Sequence, residues 1–164
     1  MAANDIQVGG THYKSTEYQH WDYAIDTGMN GVEYALTKYA TRYKSKNGRQ
    51  DLEKAVHCAQ KLVELAAGTQ PRLYCSGALS WRLDEWPLRL KRYAAANALS
   101  PACERLFHAV GGWSGRAGAL QVLAAAEALL AEWDAEHTVV LSNRDRHAAE
   151  DAALPPDGEG SDAD

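Results

Sequence analysis

Apolar residues recur at intervals of three and four along most of this chain, the spacing that gives an α-helix one buried face. Val32, Ala35, Leu36, Tyr39, Ala40 and Tyr43 follow it, predicting a helix over residues 31–45 with Asn30 as its cap. Leu52, Ala55, Val56, Ala59, Leu62, Val63 and Ala66 follow it more closely and predict a helix over 51–67. Asp51 caps this helix or sits in its first turn, and Gly68 with Pro71 stops it. Two antiparallel helices joined by the Ser45, Asn47 and Gly48 segment are the expected product. Residues 17–25 predict a shorter helix, with Tyr18, Trp21 and Ile25 on one side, after a loop marked by Gly9-Gly10.

Beyond a linker at 69–77, Leu79, Leu83, Trp86, Leu90 and Tyr93 predict another helix, which Pro87 should kink or divide. Ser100-Pro101 combines a capping side chain with proline at the first helical position, and that helix should end near Gly111-Gly112. Ser114 opens a last helix reaching about Glu136, with Leu120, Leu123, Leu130 and Trp133 as its apolar positions. Val139-Val140-Leu141 reads as an extended end. The fold class is all-α: an N-terminal loop and antiparallel helical hairpin (1–68), the linker, a helical extension (78–141), and an acidic tail (142–164) expected to be disordered.

Charge changes the picture only once it is located. The net charge of -5 arises within 142–164, where two arginines face seven acids, and the rest balances at fifteen against fifteen. A basic domain of the kind that grips nucleic acid is therefore missing, which disfavours extended DNA binding but not a compact cationic pocket. Cys58, Cys75 and Cys103 are odd in number and lack CxxC spacing, so free thiols in a reducing cytosol are expected, not a disulfide framework or zinc site. With no apolar run near 20 residues and no basic, apolar leader after Met1, a soluble cytoplasmic protein without membrane partners is expected.

Candidate chemistry concentrates in the first third. His12-Tyr13-Lys14 joins a group that titrates near neutrality, a stacking ring and a cation, the alternative being an ordinary surface loop. Trp21-Asp22 offers a ring for base stacking and an acid, or else a buried anchor for the N-terminal segment. Lys38, Arg42 and Lys46 lie at successive four-residue steps, a row suited to phosphate oxygens. A solvated helix face is the alternative, with Glu33, Asp51 or Glu53 pairing some of the charge. Tyr39 and Tyr43 lie on the apolar side and read as core, while Trp81, Trp86, Trp113 and Trp133 read as core or interface anchors. There is no GxxxxGK[ST] loop, GxGxxG, HExxH, GxSxG or EF-hand pattern.

Taken together, Asp5 to Lys14, Trp21-Asp22, Lys38-Tyr39-Ala40-Thr41-Arg42, Lys46, Gly48 and Asp51-Leu52-Glu53-Lys54-Ala55 resemble a small phage-encoded family often catalogued as a domain of unknown function. That family includes the nucleotide kinase of T-odd coliphages, and the resemblance covers about residues 4–66. It implies phosphate transfer from a nucleoside triphosphate to a deoxynucleoside monophosphate without a P-loop, in a bacterial host cell. On this resemblance His12, Asp22, Lys38 and Arg42 are the candidate catalytic residues. Tyr13, Lys14, Trp21, Tyr39, Lys46, Asp51 and Lys54 are the candidate substrate contacts. Lys38, Arg42 and Lys46 would offset phosphate charge, and Mg2+ held by Asp22 or Asp51 is implied. One departure stands out: many relatives carry a Gly-Asn-Ala type segment where this chain has Tyr34-Ala35-Leu36-Thr37. That departure favours the alternative, a non-catalytic nucleotide binder or host-interaction protein. A hairpin of this size buries little alone, so either the second half covers it or helices pair between subunits of a homo-oligomer.

Overall fold

A computed structural model of the chain describes residues 17–67 and 80–152, with side chains described over 17–67 and 85–138. Among the described residues the structure is helical throughout, without a strand. The helices are α1 (His20–Asp26), α2 (Gly31–Arg42), α3 (Arg49–Ala67), α4 (Ser80–Asn97), α5 (Pro101–Gly112) and α6 (Gly115–Ala152). A 3-10 turn, Tyr43–Ser45, follows α2 directly.

The expected starts form for the expected reasons. Asn30 Oδ1 accepts from the Val32 and Glu33 amides at 2.9 and 3.0 Å, and Glu33 Oε2 accepts from the Asn30 amide at 3.0 Å. This reciprocal box is worth about 1 kcal/mol. Ser100 accepts from the Cys103 amide at 3.3 Å, with Pro101 opening α5. The α2–α3 hairpin turns at Gly48, whose φ of +51° suits glycine. A Cβ added there would also lie 3.1 Å from the Trp133 ring.

Several inward faces differ from the expected ones. In α1 the buried side is His20, Tyr23 and Ala24, whereas Trp21 is 42% exposed and Ile25 77%. Both spacings fit a helix, and the one that buries two rings against α4 prevails. In α2 the buried set is Glu33, Leu36, Thr37 and Ala40, with Tyr39 only half-buried. In α6 it is Ala119, Val122, Ala126 and Leu129, while Leu120 is exposed. The small residues allow close approach, and at Gly118 a Cβ would lie 3.0 Å from the Trp113 backbone. Helix α4 runs through Pro87 without division. Val139-Val140-Leu141 continue α6 and do not form an extended end. The helix passes Glu136 and reaches Ala152, because neither Gly nor Pro occurs between Gly118 and Pro155.

One buried cluster draws on both halves of the chain: Leu36, Leu52 and Leu62 from the hairpin meet Leu106, Phe107, Val110, Val122 and Leu129. The second half thus covers the hairpin in cis. With one Phe in the sequence, tyrosines supply the rings. Tyr23 stacks on Tyr93 at 4.3 Å, Tyr93 on Phe107 at 5.6 Å, and Trp86 meets Tyr23 edge-on at 5.7 Å. Each such pair adds about 1 kcal/mol beyond its buried area. Trp86 and Trp113 are core anchors and Trp133 packs against the core, while the Trp81 side chain lies outside the described residues. Cys103 is a buried free thiol and Cys58 a half-buried one, whereas Cys75 lies outside the described residues. No helix among the described residues is long and apolar enough to cross a membrane.

Candidate anion-binding site

Helix α2 carries Lys38 and Arg42 one turn apart, and the 3-10 turn after it carries Lys44. All three line a cavity of about 360 Å³. Its opposite wall is the corner between α4 and α5, residues Ala96, Asn97, Ala98, Leu99 and Ser100, with Cys103 behind. His20, Thr41, Tyr43 and Ser45 complete the lining, which includes no carboxylate. The corner is sharp because Ala98 adopts a φ of +48° and the Leu99 amide donates back to the Ala94 carbonyl at 3.1 Å.

The cations differ in how far they are satisfied. Arg42 donates from Nε and Nη2 to the two oxygens of Asp51 at 2.9 and 3.2 Å. Asn47 Nδ2 and Lys54 Nζ also donate to Asp51 Oδ1, at 3.0 and 3.4 Å. The Asp51 side chain is fully buried. Burial alone would raise its carboxyl, but the hydrogen bonds from Arg42 and Asn47 and the Arg42 charge prevail and hold it below its ordinary range. Tyr39 lies between Arg42 and Lys54, with its ring centroid 4.9 and 5.6 Å from them. Lys38 and Lys44, by contrast, have no carboxylate at ion-pair distance among the described residues. Their ammonium groups lie 5.7 and 5.8 Å from the Tyr34 and Tyr43 rings.

The structure therefore redistributes the sequence-derived candidates. Lys38 and Arg42 share the cavity. Tyr39, Asp51 and Lys54 gather around Arg42 and engage one another, so they are structural partners of that arginine and not contacts lining the cavity. Lys46 is exposed and outside the lining. Trp21 is exposed, Asp22 is half-buried, and neither lines the cavity. His12, Tyr13 and Lys14 lie outside the described residues. None of Tyr34, Ala35, Leu36 and Thr37 lines the cavity.

Lys44, Asn97 and His20 were not singled out from the sequence, and Ser100 only as a helix cap. Asn97 and Ser100 reach the site only through tertiary folding. His20 carries a local signal, since His20, Tyr23, Ala24 and Thr27 are spaced as a buried helical face. Burial and the nearby Lys38 charge lower the His20 pKa to about 3, so the ring is neutral at physiological pH. Burial pushes the Cys103 thiol up to about 12, and its sulfur donates to the Ala40 carbonyl at 3.1 Å, which makes it inert packing.

Among the described residues the candidate acids do not converge on a protein-held magnesium ion. Both Asp51 oxygens are committed to cationic or amide donors, and Asp22 is not among the residues lining the cavity. Among the described residues no three His, Cys, Asp or Glu side chains converge to hold a metal. What the cavity can do chemically is hold an anion. Clustered cations with no lining carboxylate gain from a phosphate that neutralises them. Comparison with protein families, curated proteins and solved structures finds no match to this chain.

Proposed function

We propose that the chain binds a phosphorylated nucleoside in the cavity between α2 and the α4–α5 corner. One observation carries this reading: Lys38 and Lys44, cations without a carboxylate partner among the described residues, line with Arg42 a hollow that has no acidic lining. Its volume, about 360 Å³, is at the lower end for small-molecule pockets and suits one mononucleotide. The resemblance to the phage nucleotide-kinase family supports the same ligand class.

Binding is favoured over phosphoryl transfer. Transfer uses cations to offset charge but also needs a group to position the attacking oxygen. The candidate acids are committed elsewhere or lie off the cavity, so any divalent ion would arrive with a donor triphosphate. The kinase reading rests on the resemblance alone.

Titration calorimetry with deoxynucleoside mono-, di- and triphosphates tests the proposal. Lys38→Ala and Lys44→Ala should each weaken binding roughly five- to tenfold, the loss of one charge-assisted contact. Arg42→Ala is a poorer probe, because it leaves the Asp51 carboxylate buried without its main partner, a loss of about 3 kcal/mol or more in stability. No heat or thermal shift with any nucleotide would sink the reading. Diphosphate formation from a monophosphate and a triphosphate donor would replace it with the kinase.

A further inference from the structure

Asn97 closes α4 and lies in the wall of the cavity. It follows Tyr93 by one turn, so the two side chains leave the same side of the helix. On that side the Tyr93 hydroxyl lies 2.9 Å from Thr41 Oγ1, and Thr41 belongs to the lining on α2. Asn97 Nδ2 donates to the Tyr93 carbonyl at 3.0 Å and to the Tyr18 carbonyl, just before α1, at 3.1 Å. Carbonyls only accept, so the amide has one orientation: nitrogen toward these two tyrosines, which are outside the lining, and oxygen away from them. Nothing among the described residues donates to Oδ1, yet the atom is not sealed from solvent and the residue is half-buried.

The neighbouring groups cannot satisfy that oxygen. The Thr41 hydroxyl proton goes to the Thr37 carbonyl at 2.9 Å, and that of Ser45 to the Arg42 carbonyl at 3.1 Å. A phosphate satisfies Lys38 and Lys44 but repels a carbonyl oxygen, and the amide cannot turn that oxygen away without breaking two hydrogen bonds. We propose that Asn97 is a specificity-determining residue whose Oδ1 accepts a hydrogen bond from a hydroxyl or N–H group on the nucleoside part of the ligand. The cavity then has two unlike ends, lysines for the phosphate and a fixed acceptor for the neutral part. This inference rests on the nucleotide-binding reading and names what the ligand must present besides its charge.

Calorimetry on the full chain tests it, first with the four 2′-deoxynucleoside 5′-monophosphates. The tightest binder is then compared with its analogue lacking the 3′-hydroxyl, its analogue whose base carries no donor, and inorganic phosphate. One of the two deletions should weaken binding to the wild type roughly fivefold, the loss of one hydrogen bond, and which one does so tells whether sugar or base faces Asn97. Asn97→Ala should erase that difference and leave phosphate affinity within about twofold. If neither deletion matters, or if Asn97→Ala keeps the difference or weakens all ligands equally, the inference is overturned while nucleotide binding stands. Absence of binding by any of the four to the wild type overturns both. Should Asn97→Ala fail to fold, carbon NMR of the wild type decides: the Asn97 carboxamide carbon resonance moves when the nucleotide is added and not with phosphate, and no movement overturns the inference.

Discussion

A neutral imidazole buried beside Lys38 makes folding sensitive to acid. Above pH 6.5 the His20 ring is neutral in both folded and unfolded chains. Between 6.5 and about 3 the unfolded chain takes up a proton that the folded one does not. Stability therefore falls as the pH falls through that window, by up to about 1.4 kcal/mol per pH unit, and the loss is complete below the folded value. The urea midpoint of the wild type should drop more between pH 7 and pH 5 than that of His20→Gln. Equal drops would show that His20 is not the group responsible. Asp51, held low by Arg42 and Asn47, acts in a separate window: its contribution persists above the ordinary carboxylate range and disappears only in stronger acid. At this scale the sequence was half legible. The four-residue step from Lys38 to Arg42 fixed their shared side, but a four-residue step cannot say which cation a carboxylate will claim. That depended on Asp51 returning beside Arg42 across the Gly48 turn.

Helix beginnings were more legible than helix faces or ends. Asn30 with Glu33, and Ser100 with Pro101, act within a few residues, so local chemistry determined them. The inward side of α6 depended on what it met. Ala119, Val122 and Ala126 won over the bulkier Leu120 because close packing against neighbouring helices rewards small side chains. The end of α4 holds a residue under strain. Ala98 occupies the left-handed position after the helix, where a Cβ is unfavourable and glycine is the usual occupant. Ala98→Gly should raise stability by about 0.5 to 1 kcal/mol, the relief outweighing the extra chain entropy, and thermal denaturation would register it as a higher midpoint. A lower midpoint would mean that contacts made by the Ala98 methyl group matter more than the backbone conformation.

For the whole molecule, the all-α class followed from periodicity, but the dependence of one half on the other did not. Helix α3 packs along α6, and the buried cluster runs from Leu52 to Leu129 without a divide. A fragment comprising residues 1–68 should therefore lack stable helix by circular dichroism, whereas the full chain should unfold in one cooperative transition. A folded fragment would show that the hairpin is self-sufficient. The cavity was illegible for the same reason: its cations come from one half, and the α4–α5 corner facing them comes from more than fifty residues further along.

Glu33 joins these halves at one point. Its carboxylate is fully buried, receives the Asn30 amide on Oε2, and on Oε1 receives the Trp113 indole at 2.7 Å. Opening turns of helices ordinarily fray, and their amides exchange with solvent long before the molecule comes apart. Here that fraying would have to unlatch an indole eighty residues away. Deuterium uptake at the Val32 and Glu33 amides should therefore keep pace with global unfolding, and Trp113→Phe should release those two protons early while the middle of α2 stays protected.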